Sequence, residues 1–144
     1  HYALEWGQRR RVQLLCKTDH EALLKAGREM LSQVLEDRLN RQRDGTTRGG
    51  TFGVPKGVPI PRAILKLKPR EIFISPDGYM SIEMHGGMDH FGVRIYPEGV
   101  DEPYPGPYGG RKLLEGLVYY DEGYRFNPEY DKIIDEIIEK HKTK

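Results

Sequence analysis

Cysteine is nearly absent: Cys16 is the single one in 144 residues. No intrachain disulfide can form, which excludes the disulfide-stapled secreted scaffolds. No run of about 18 apolar residues occurs, so the sequence offers no membrane-spanning segment. Catalytic signatures are missing too. There is no Gly-x-Ser-x-Gly, the mark of a nucleophile elbow. The glycines at 45, 49, 50, 53 and 57 lack the Gly-Lys-Ser/Thr ending that a phosphate-binding loop requires. Internal repeats and low-complexity tails are also lacking. The residues carry no resemblance to a known family.

What is present fits one domain. A chain of 144 residues buries roughly two-thirds of its unfolded surface, enough for one core without staples. Hydrophobic residues make up 37% and charged residues 31%, more polar than average but not disordered in composition. The sequence starts at His1 rather than methionine, which is compatible with an upstream signal or anchor. The triplet Arg9-Arg10-Arg11 suits the flank of such an anchor; a solvated surface suits it better, as for most short charge runs.

Net charge is +1, but the charges are segregated. Residues 38–70 hold nine Lys or Arg and one acid, whereas residues 71–131 hold four Lys or Arg and twelve acids. A basic linker therefore precedes an acidic sheet. Self-neutralisation and an external anionic partner explain this equally well.

Periodicity places the elements. Leu23, Gly27, Leu31, Val34, Leu35 and Leu39 recur at helical spacing and predict a helix over residues 19–41. Thr18 and Glu21 read as its capping box. Gly27 interrupts the apolar stripe at a cost of about 1 kcal/mol relative to alanine, which points to close approach of another element. Residues 2–16 fit a second helix, or a strand at 12–16. Residues 43–59 are too dense in glycine and proline for any element, and the expectation is a mobile basic loop. Pro61 suits the start of a short helix over 61–67, ended by Pro69.

Strands follow. Residues 71–75 lead into the turn signal Pro76-Asp77-Gly78. Met80, Ile82 and Met84 alternate against Tyr79, Ser81, Glu83 and His85; Phe91, Val93 and Ile95 alternate against His90, Gly92, Arg94 and Tyr96. Both apolar triplets must face one core, so an even position opposes an odd one and the connecting loop has an even length. The turn is then Gly86-Gly87, or is centred on Gly87-Met88. Residues 113–121 read as a fourth strand. Asn127 as N-cap and Pro128 at the first position open a last helix, with a stripe of Tyr130, Ile133, Ile134, Ile137, Ile138 and His141. The expectation is an α+β fold: a four-stranded antiparallel meander with a long N-terminal helix and a C-terminal helix on one face, in a single domain spanning 1–144.

Three clusters carry candidate chemistry. Tyrosine is abundant near the end of the chain. Tyr104, Tyr108, Tyr119, Tyr120 and Tyr124 lie in or near one loop–strand–loop unit. Rings beside proline and glycine suit protein contacts, and Tyr104, Tyr108 and Tyr120 are the candidate partner-binding residues; lidding a small core is the plainer alternative. His85, Asp89 and His90 flank a glycine turn. With the turn on Gly87-Met88 the two histidines oppose each other, Glu83 stands one pleat away, and a metal ion is a candidate ligand. Against that, the spacing matches no metal signature, two histidines need a third ligand from afar, and both suit a solvent-facing hairpin. The basic segment, through Arg43, Arg48 and Lys56, could meet nucleic-acid phosphates, but Phe52 is its single aromatic residue, too few for stacking platforms.

Cys16 sits near His20, but adjacency makes no dyad, and a free cysteine is most often a small buried hydrophobe. Asp101-Glu102 and Asp121-Glu122 read as solvated acids. The preferred reading is a non-catalytic protein-binding or assembly module without a cofactor. A metal-binding protein or metal-dependent enzyme is the alternative, and nucleic-acid binding is the third.

Overall fold

The first 43 residues form two consecutive helices, α1 (Tyr2–Cys16) and α2 (His20–Arg43). Helix is thus the outcome for the ambiguous stretch before Cys16, where Val12 and Leu15 share one fully buried face. The break between the helices differs from the expected capping box. Thr18 Oγ1 donates to the Leu14 carbonyl (2.9 Å), and the Thr18 N–H bonds the Leu15 carbonyl (3.1 Å). Thr18 therefore closes α1. The cap of α2 is Asp19, whose carboxylate accepts the Ala22 N–H at 3.1 Å, satisfying a donor that has no intrahelical partner.

This computed structural model describes residues 2–43, 51–85, 91–100, 110–121 and 128–142; for residues 2–8, 41–43, 85, 121, 128 and 130 it describes the backbone alone. The remaining elements are β1 (Phe52–Gly53), α3 (Arg62–Leu65), β2 (Glu71–Ile74), β3 (Met80–His85), β4 (Phe91–Ile95), β5 (Arg111–Leu114), β6 (Leu117–Asp121) and α4 (Pro128–Lys142). The strands make one antiparallel sheet in the order β1-β2-β3-β4-β6-β5. Among the described residues no helix is long and apolar enough to cross a membrane.

The sheet has six strands, not the expected four. Two local causes account for the difference. Phe52 and Gly53 lie inside the stretch read as loop, yet they pair with Ile74 and Phe73; the open edge of β2 offers backbone partners, and the Arg38 guanidinium sits 3.8 Å over the Phe52 ring. The stretch read as one strand over 113–121 is a hairpin. Gly116, at φ 93°, supplies the left-handed turn residue that brings Leu114 opposite Leu117. Residues 44–50, Asn127 and the side chain of Tyr130 lie outside what is described.

One face of the sheet holds the core. Met80, Ile82, Met84, Phe91, Val93 and Ile95 are all buried, as the alternation requires, with Leu23, Leu31 and Val34 of α2 and Ile134 and Ile137 of α4 in the same cluster. Helices α1, α2 and α4 pack against the strands from this side. Gly27 lets α2 approach the sheet closely: a Cβ there would run into Ile95 Cδ1 and stand 3.3 Å from Met80 Cε. The stripe of α2 outruns the sheet, so Leu39 is 54% exposed.

Charged side chains tie the layers. Arg9 pairs with Glu129 of α4 (3.3 Å) and Arg11 Nε donates to the Met84 carbonyl (3.0 Å). Arg28 of α2 donates to the carbonyls of Tyr96 (2.9 Å) and Glu115 (3.2 Å). Arg111 of β5 reaches Asp131 (3.6 Å) and Asp135 on α4.

A histidine pair fastens the end of α4. His20 is buried, and its Nε2 lies 2.8 Å from the Leu15 carbonyl. That acceptor requires Nε2 to carry the proton, leaving the Nδ1 lone pair to accept from His141 Nε2 at 2.9 Å. Burial holds the His20 pKa below its ordinary value of 6.5, and the neighbouring His141 and Lys140 act in the same direction, against the Leu15 hydrogen bond and Asp19.

Two outcomes are expected. Gly27→Leu should lower stability by about 1–3 kcal/mol through overpacking, whereas Ile82→Asp should abolish cooperative unfolding by placing an unpaired charge in the core; urea titration measures both. Because the folded state resists protonating His20, its contribution is complete above about pH 6.5 and is lost as the pH falls below it. Denaturation midpoints at pH 7.5 and 5.5 should show that loss, and His20→Gln should reduce it.

Candidate functional site on the second face of the sheet

Strict alternation sends every second side chain away from the helices. Across the second face, Phe73 opposes Ser81, Ser81 opposes Arg94 and Arg94 opposes Val118. In the next row Glu83 opposes Gly92, which opposes Tyr120. Because Gly92 has no side chain, Tyr120 can reach across β4: its hydroxyl meets Ser81 Oγ at 3.0 Å. A Cβ at position 92 would strike the backbone carbonyl of Ile82, so β3 and β4 approach here as only glycine permits.

Arg94 is the centre of this face. Its guanidinium carbon lies 4.7 Å from the centroid of the Tyr120 ring and 5.4 Å from that of Tyr79, within cation–π range of both. Tyr79 in turn leans on Tyr96, with centroids 5.1 Å apart. Arg94 Nε is buried without a hydrogen-bond partner. Beside it opens a cleft of ≈ 230 Å³ lined by Thr51, Phe73, Ser75, Tyr79, Ser81 and Arg94. Among the described residues the lining thus offers hydroxyls, aromatic walls and one charge, which is positive. Glu83, the carboxylate on the same strand as Ser81, is buried and held by Arg70 Nη1 at 3.2 Å.

The residues singled out from sequence are distributed unevenly. Tyr120 is 6% exposed and belongs to this cluster as the wall of Arg94. Tyr119 points the other way, into the core. Tyr104, Tyr108, Asp89, His90 and Arg48 lie outside the described residues, as do the side chains of His85 and Arg43. Lys56 is exposed. The expected opposition of His85 and His90 does not occur. A bulge between Glu83 and His85 inserts one extra residue in β3, so His85 stands opposite Phe91, and five residues, not an even number, separate the strands. Among the described residues no group of three or more His, Cys, Asp or Glu could hold a metal ion. Cys16 is exposed rather than buried, and the nearby His20 is engaged by Leu15 and His141.

Sequence reasoning placed Arg94, Tyr79 and Ser81 on the polar face without singling them out. The available signal was Arg94, the one Lys or Arg of residues 71–110, two residues before Tyr96 on the outward side of its strand. The geometry predicts that Gly92→Ala costs more than about 2 kcal/mol, since backbone and not a flexible side chain blocks the added methyl. Tyr120→Phe should cost about 1 kcal/mol for the lost Ser81 hydrogen bond; equilibrium unfolding measures both. No protein family, no curated protein and no solved structure matches this chain, so nothing transfers to it from a relative.

Proposed function

We propose that this chain is a non-catalytic binding module that docks a protein partner on the second face of its sheet. The supporting observation is the Arg94 guanidinium, within cation–π range of two tyrosine rings, with its Nε buried and bonded to no acceptor. Leaving a buried donor unsatisfied costs about 1–3 kcal/mol, and an acceptor from outside the chain removes that cost on binding. Tyr and Arg are also the side chains that dominate contact energies in protein interfaces. The cleft volume of ≈ 230 Å³ falls below the roughly 300–1,000 Å³ of pockets for drug-sized ligands, so it suits one side chain or a chain end. Tyr104 and Tyr108 belong to the same proposal: their segment carries three prolines between residues 102 and 110, which restrict its unbound states and limit the ordering cost of contact.

Sedimentation tests self-association, and capture from the native source tests a heterologous partner. In whichever assay registers association, Tyr79→Ala and the double change Tyr104→Ala/Tyr108→Ala should each weaken it about tenfold or more. Unfolding stability of the double variant should stay within about 1 kcal/mol. Unchanged association in both variants overturns the reading.

A further inference from the structure

We infer that the Arg94 cleft recognises a carboxylate carried on an apolar or aromatic stem; the inference rests on the binding reading above and names the group that the partner presents. Among the six lining residues, Thr51, Phe73, Ser75, Tyr79, Ser81 and Arg94, only Arg94 is charged. The buried carboxylate of this face, Glu83, is taken by Arg70. The part-buried Arg11 and Arg28 find acceptors within the fold, Arg11 on the Met84 carbonyl and Arg28 on those of Tyr96 and Glu115. Arg94 has two ring faces instead, and its Nε–H is left without a bond.

Packing against the rings of Tyr79 and Tyr120 leaves the edge of the guanidinium as its bonding direction, because the N–H donors lie in its plane. A carboxylate matches that edge with two acceptor oxygens. One positive charge with hydroxyls nearby balances a monoanion. Phosphate-bearing groups carry nearly two negative charges and are typically met by arginine clusters, and among the described residues no second cation lines the cleft. The Phe73 and Tyr79 walls supply apolar contact for the stem that carries the acid, and the cleft volume matches a group of side-chain size.

The test uses three probes that share one ring: benzoate, benzamide and phenyl phosphate, titrated into the full chain. The readout is the Arg94 Nε–H resonance, identified by its loss in Arg94→Lys, together with the backbone amides of Phe73, Ser75 and Ser81. Benzoate should move all of these, with the Nε–H proton shifting downfield, and should saturate at a concentration at least tenfold lower than benzamide. Arg94→Gln should remove that preference; should this variant fail to fold, the comparison of probes on the unaltered chain stands by itself. Equal binding of benzoate and benzamide at the lining residues overturns the carboxylate inference while leaving the second face as a binding surface. Phenyl phosphate binding tenfold tighter than benzoate overturns it in favour of a phosphate. If none of the probes moves the lining residues, the inference fails, and the second-face reading loses its supporting site as well.

Discussion

The structure depends on one packing constraint: the apolar rows of β3 and β4 must be covered by helices on a single side. Ile82 opposes Val93 and Met80 opposes Ile95, and all four side chains are fully buried. Helix α2 can close on them because Gly27 presents backbone where any side chain would meet Ile95 and Met80. The propensity loss of about 1 kcal/mol for a glycine within a helix is offset by this close packing. Since side chains alternate along a strand, filling one face with Met, Ile and Val fixes what stands on the other. Ser81, Arg94 and Tyr120 are on the second face because their neighbours in sequence are in the core.

Arginine has two roles in this protein, distinguished by where its donors go. Arg11 and Arg28 end on backbone carbonyls and Arg111 ends on acids of α4; these contacts join helices to the sheet. Arg94 alone among these four is flanked by rings and bonded through none of its buried Nε. The same guanidinium chemistry therefore serves as a tie where an acceptor exists and as an open donor where none does. The missing side chain at Gly92 contributes to that difference, because it lets Tyr120 cross β4 to Ser81 and stand against Arg94.

The elements were legible in the sequence wherever one local rule governed them. Period-3.6 spacing marked α2, period-2 alternation marked the buried faces of β3 and β4, and Pro128 marked the start of α4. Readings failed where two local rules competed or a distant partner decided. Thr18 satisfies both the helix before it and the pattern of a cap for the helix after it, and the backbone geometry gave the second role to Asp19. Phe52 and Gly53 have no strand signal of their own; they pair because the edge of β2 is beside them.

The candidate site was legible only as a list of outward-facing residues. Sequence by itself determined that Tyr79, Ser81, Arg94 and Tyr96 share a face, since that follows from a period of two along each strand. Tertiary structure decided which of them meet. A one-residue bulge changed the register at the β3–β4 turn and set His85 opposite Phe91. The strand order placed β6 beside β4, which brought Tyr120 to Arg94 from 26 residues away in the chain. Register and strand order are sums of many weak contacts over the whole sheet, and no short stretch of sequence encodes them.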